Sequence, residues 1–271
     1  MSSPVEKHGW TAVPRSLDKL LAGRNEKREP WPVKVEDLPL PEGELVGKVM
    51  EYAKSHLPAQ TFNHSMRVFC YGMLSFSSSS LFCFFFLIFE SFIVWLRIFL
   101  SPNSCRTGRA ITLQHFPEWT YDPETLFLTA LLHDIGTTDA NQSSTQLSFE
   151  FKGAFIALDL LASLDSDLSQ REAVCESIIR HQDLGDTGSM TTLTAVIHFA
   201  TVLDNVGLYA EELVHPDTMK NVTTAFPRNG WTGCFAGVVR RECETKPWAN
   251  TTRIQGFAEM VEANGVMAPF D

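Results

Sequence analysis

The sequence predicts a mostly α-helical fold: a single helical core, preceded by an extended N-terminal arm and interrupted by a foreign apolar insertion. Two observations carry this. Amphipathic stretches of helical period recur from residue 42 to the C-terminal end, while period-2 alternation is scarce and no internal repeat is visible. Residues 73–108 depart in composition from everything around them. The arm is 1–41, and the core is 42–271, broken at 73–108.

The arm is polar and proline-rich (Pro4, Pro14, Pro30, Pro32, Pro39, Pro41), with one short helix near Ser16–Ala22. Glu42–Leu57 is amphipathic and stops at Pro58, and a second helix covers Thr61–Gly72. Asp122-Pro123-Glu124 is a helix start, with an Asp cap, Pro at the first helical position and an acidic first turn. That helix is expected to run to Gly136, followed by helices at 149–164, 169–181, 191–204, 208–214, 231–242 and 252–264.

Composition narrows the function. At 44% hydrophobic and 20% charged, the 271 residues can bury a core and are too apolar for disorder. A net charge of −10 argues against a phosphate-tracking surface, so no nucleic-acid partner is expected. Six cysteines without a CxxC pair fit neither a disulfide framework nor a zinc knuckle. The opening MSSPVEKHGWTAVP lacks an apolar h-region, which predicts a cytoplasmic protein.

Within 73–108 lie 8 of the 20 phenylalanines, together with 8 serines and only three charges. Positions 81–100 are long and apolar enough for a bilayer span. Against a span stand Glu90 and Arg97 inside the run and the lack of a flanking Lys/Arg cluster. A buried core helix is a second reading, but the apolar residues run all round with no 3.6 period. A translated intron is the third and leading one, since Phe/Leu/Ser-rich low complexity is what a pyrimidine-rich stretch yields in frame. Joining Gly72 to Arg109 then gives one amphipathic helix, VFCYG–RAITLQHFPEW.

Four polar residues fall on apolar faces. Phe127 and Ala130 precede Asp134 by seven and four positions, Leu126 and Thr129 precede His133 likewise, and Ile197 and Ala200 precede Asp204. His64 is followed at the same spacings by Val68 and Tyr71. No Arg or Lys is expected on those faces to pair the carboxylates. Unpaired buried carboxylates protonate, find a partner or bind a metal, and imidazole with carboxylate suits Zn, Fe, Mn or Co.

The order His64 … His133-Asp134 … Asp204 resembles the HD-domain metallohydrolase superfamily. FNHSMRV, LLHDIGTTD, SFEFKG, ESIIRHQD, TVLDNVG and TAFPRNGW, followed by KPW and TTRI, together resemble the fungal cyanamide hydratase family. The resemblance spans Gly9 to the C-terminal EMVEANGVMAPFD, 73–108 excepted. It implies an HD-domain core and hydration of cyanamide to urea by zinc-activated water, with iron and manganese suiting the same donors. Metal ligands would be His64, His133, Asp134 and Asp204. His181 and Asp134 would be catalytic, one of them moving the proton to nitrogen, with Ser177 and Ile178 orienting His181. Thr137, Gln182 and Asn205 would line the substrate pocket.

The remaining histidines, His8, His56, His115, His198 and His215, read as surface or structural. No organic cofactor motif is present, and the expected partner is a small molecule, with a homo-oligomer left open. Two alternatives stand beside the resemblance: an HD-type phosphohydrolase, which would want a basic cluster, and an inactive product disrupted by 73–108.

Overall fold

A computed structural model describes residues 3–23, 29–72 and 114–271. The 73–108 insertion lies outside the described residues, as does 109–113; of the helix expected on joining Gly72 to Arg109, the end is corrected, since 116–119 form a turn closed by the Trp119 amide on the Phe116 carbonyl.

The arm is more structured than its prolines suggest. After α1 (Pro4–Lys7), β1 (Ala12–Pro14) pairs antiparallel with β2 (Ser189–Thr191), Val13 opposite Met190. Ser16 then caps α2 (Leu17–Ala22) by accepting from the Lys19 amide, as its sequence suggests. Helix α3 (Glu44–His56) ends before Pro58, and α4 (Ala59–Gly72) follows at once.

Helix α5 (Pro123–Leu132) starts at the expected Asp122 cap, whose carboxylate accepts from the Glu124 amide. It ends earlier than expected, at Leu132, and a 3-10 turn, Ile135–Thr137, takes the place of its last residues. Then come α6 (Asp139–Ser143), α7 (Phe149–Ser163), α8 (Leu168–Arg180), α9 (Thr192–Val206) and α10 (Ala210–Leu213). Helix α11 (Pro216–Ala225) was not expected, although His215-Pro216-Asp217 repeats the logic of Asp122-Pro123-Glu124. After α12 (Trp231–Thr245), the helix expected over 252–264 is divided. A 3-10 turn, Asn250–Arg253, is separated from α13 (Phe257–Glu262) by Gly256 at φ 69°, a left-handed conformation that interrupts any helix.

Helix α9 is the axis of the core. All but its last residue are buried, and α4, α5, α8 and α13 pack around it. Leu126, Phe127, Leu128, Leu131 and Leu132 make α5 apolar all round, which fits a helix enclosed by neighbours. A smaller core joins α12 to α13 through Trp231, Phe235, Val239, Phe257 and Val261. Among the described residues, no helix is long and apolar enough to cross a membrane.

One close approach fixes the site. A Cβ on Gly136 would lie 2.0 Å from the Phe149 carbonyl oxygen and 2.9 Å from the Gly153 amide. Only glycine lets the turn after Asp134 press against the first turns of α7, and Gly153 completes the fit from the other side, which accounts for the glycines in LLHDIG and SFEFKG.

Candidate metal centre

Two of the helices end in a histidine that folds back on its own last turn. His133 closes α5 and donates from Nδ1 to the Ala130 carbonyl at 2.8 Å; His181 closes α8 and donates from Nδ1 to the Ile178 carbonyl at 2.6 Å. Each satisfies a carbonyl that the end of its helix leaves without an intrahelical partner. On α4, His64 Nδ1 donates to Asp204 Oδ2 at 2.6 Å. Because a carbonyl or carboxylate oxygen only accepts, all three rings carry hydrogen on Nδ1. Burial pushes all three imidazoles down to about 4, so they are neutral near pH 7 and their Nε2 atoms are bare lone pairs.

Those lone pairs converge. The Nε2 atoms of His64 and His133 are 3.1 Å apart, and each is 3.5 Å from Asp134 Oδ2. His181 Nε2 is 3.7 Å from Asp134 Oδ1. Neither Asp134 oxygen has a hydrogen-bond partner, nor does His181 Nε2, and burial pushes the Asp134 carboxyl up. Acceptors facing one another in the interior repel unless a proton or a metal cation lies among them. His64, His133 and Asp134 form a group that could hold a metal ion. The chemistry of the donors fits a borderline ion such as zinc.

Asp204 meets the Nδ1 side of His64. Its carboxylate accepts from Arg67 Nε at 3.0 Å and Nη2 at 2.9 Å, and from Arg228 Nη1 at 3.0 Å, besides His64. Burial alone would raise its carboxyl, but the two guanidiniums and the imidazole hold it far below the usual carboxylate range. The expectation that no cation shares these faces is therefore corrected: Arg67 and Arg228 are both fully buried against Asp204. Arg67 was legible, lying three residues after His64 on the same helix face. Arg228 was not, because it comes from the turn before α12.

The expected pocket residues divide. Thr137 donates its hydroxyl to the Asp134 carbonyl at 2.7 Å, which closes the turn behind that carboxylate. Asn205 accepts from Trp231 Nε1 at 2.8 Å, and Trp231 stacks on the His64 ring at 4.4 Å between centroids. Gln182 is buried with neither side-chain polar atom partnered, as is the Thr201 hydroxyl one turn before Asp204. Ser177 bonds Thr194 at 3.0 Å across the start of α9.

Of the other histidines, expected to be surface or structural, three are interior and structural. His8 meets Thr125, His115 bonds the Leu213 carbonyl, and His198 donates to the His181 carbonyl at 2.8 Å, so it holds the turn that carries His181. The next residue but one, Asp183, gathers Arg15, Arg180 and Arg253. Burial would raise its carboxyl; Arg253 and Arg15 bring it below its ordinary value. The arm and the C-terminal part of the chain are thereby tied to the loop after α8.

The HD domain family model matches residues 106–214. Two proteins of Saccharomyces cerevisiae (strain ATCC 204508 / S288c), cyanamide hydratase DDI2 and cyanamide hydratase DDI3, are each 35% identical to this chain over 262 residues, 96% of this chain and 98% of theirs. At that identity over nearly the full length of both chains, this chain belongs to the cyanamide hydratase family.

Proposed function

We propose that this protein hydrates cyanamide to urea at a metal ion held by Nε2 of His64 and His133 and by Asp134, with Nε2 of His181 as a further donor. The convergence of neutral, Nδ1-protonated imidazoles on an unpartnered buried carboxylate carries the proposal. Zinc is the ion proposed: it would polarise the nitrile or lower the pKa of water from 15.7 to about 7.

The remaining work falls to side chains. In this reading Asp204 is not a ligand. It fixes the tautomer and angle of His64 from behind, while Arg67 and Arg228 keep it ionised. Asp134 has two unpartnered oxygens, so one can stay free to carry a proton towards the nitrile nitrogen. With Nδ1 of His181 donating to the Ile178 carbonyl and its Nε2 given to the metal, neither ring nitrogen would be free, which leaves proton transfer to the carboxylate. Gln182 offers a donor and an acceptor for a small polar substrate, and Phe149 and Trp231, against His181 and His64, keep bulk water out.

A phosphohydrolase would need cations for its phosphate. The two guanidiniums beside the centre are engaged by Asp204, the Phe226 carbonyl and Asp271. The test sets urea release from cyanamide against phosphate release from p-nitrophenyl phosphate and a nucleotide panel. Urea alone, abolished by His133→Ala, is expected; phosphate without urea would overturn the proposal.

A further inference from the structure

Every donor of the centre is buried, so a solute needs a way in. Between the start of α4, the turn after Asp134 and α12 lies a surface cavity of about 470 Å³. Two of its lining residues adjoin the centre. Thr61 is buried one turn before His64. Thr137 holds the Asp134 carbonyl. Cys234 is half-buried on the facing wall of the cavity. Across the outer rim, Arg241 pairs with Asp139 at 2.9 Å.

Helix α12 forms one wall with Cys234, Gly237, Val238 and Arg241, the spacing of a single helix face. Gly237 is the unusual member. It lies mid-helix, where glycine is less stable than alanine, and its φ is not in the left-handed region. A Cβ there would meet nothing within 4 Å. Neither backbone conformation nor packing demands glycine at this position. What its absent side chain provides is open space on the cavity wall.

We propose that this cavity is the entrance to the metal centre and that Gly237 sets its width, admitting a small linear nitrile and excluding bulkier ones. The proposal rests on the reading of His64, His133 and Asp134 as a metal centre. A side chain at 237 would project into the route, not into the core, so it would slow access without unfolding the protein.

The test uses the zinc-loaded full chain and its Gly237→Ala, Gly237→Leu and Gly47→Leu variants. Gly47 is likewise exposed on a helix, α3, with no atom near its would-be Cβ, and it does not line the cavity. Three quantities are measured: Tm, the chelator-dependent rate at which pyridine-2,6-dicarboxylate strips zinc, and kcat/KM for cyanamide. Gly237→Ala should keep or raise Tm, by about 2–4 °C at most. Gly237→Leu should slow stripping and lower kcat/KM by about tenfold or more, with Tm held and Gly47→Leu like the wild type. Were Gly237→Leu to fold poorly, Gly237→Ala would decide on stripping rate, where a slower rate supports the entrance and an unchanged one overturns it. Wild-type stripping and kcat/KM in a folded Gly237→Leu variant would place the entrance elsewhere. If the wild type makes no urea, the proposed activity fails and the stripping rates alone judge the entrance.

Discussion

Asp204→Asn is the substitution that separates an outer carboxylate from a metal ligand. Asp204 neutralises two guanidiniums that are themselves fully buried, and it accepts from His64 as well. Removing one partner of a buried ion pair costs about 3–5 kcal/mol, because the remaining charge loses its counterion. Asparagine keeps one acceptor oxygen, and Arg67 retains the Phe226 carbonyl, so the lower end of that range applies. About 3 kcal/mol corresponds to a Tm lower by roughly 6–12 °C for a protein of this size. The assay is thermal unfolding of Asp204→Asn, Arg67→Met and the double variant. The double variant should lose less than the sum of the singles, by about 1–3 kcal/mol. Metal binding supplies a second readout. An outer-shell loss should weaken affinity about 10–100-fold while stoichiometry at saturation stays at one ion per chain. In the cobalt-loaded protein the visible spectrum should persist in Asp204→Asn and change in His181→Ala. A Tm within about 2 °C of wild type, or a cobalt spectrum that changes in Asp204→Asn and not in His181→Ala, would refute the assignment.

Further expectations concern stability and the fold. Glu150 is fully buried, and burial pushes its carboxyl up to about 7 from an ordinary value of 4.5. Between those values the unfolded chain loses the proton that the folded chain keeps, so this residue's effect on stability becomes unfavourable as pH rises through the window. Glu150→Gln should match wild type near pH 4.5 and exceed it by about 3 kcal/mol above pH 7, measured by guanidinium unfolding; parallel curves would contradict it. The neutral histidines act in the opposite sense. With values near 4 in the fold and 6.5 as the ordinary value, His64, His133, His181 and His198 should make the metal-free protein lose stability as pH falls from about 6.5 to 4. Gly136→Ala should destabilise by about 3 kcal/mol or more, since its new Cβ meets backbone and not a mobile side chain. Finally, if 73–108 is foreign to the folded domain, a variant lacking it should bind metal and form urea at least as well as the full chain.

How much of this was legible depended on the range of the interaction that fixes each residue. Asp122-Pro123-Glu124 and Pro58 act on their own turns, and the boundaries they imply hold in the structure. His133, Asp134 and His64 could be placed indoors because helical spacing puts them beside apolar neighbours. The turn after Asp134 could be recognised by its glycine but not explained, since the need for Gly136 comes from Phe149 on another helix. Helix α11 escaped because its apolar face is thin, with only Met219 and Val222 buried among its hydrophobic residues. Asp204 illustrates the limit most sharply. Its inward direction follows from Ile197 and Ala200, whereas its pairing with Arg67 and Arg228 joins three separate segments and emerges only in the folded structure.

The central claim is that a metal at the His64, His133 and Asp134 group hydrates cyanamide. Its most direct test is urea formation by the purified chain after its metal is removed and zinc is restored in steps. Urea production should be absent from the metal-free protein and rise in proportion to zinc up to one ion per chain, with His133→Ala inert throughout. Urea formation by the fully metal-free protein, or a zinc-saturated protein that leaves cyanamide untouched, would contradict the claim.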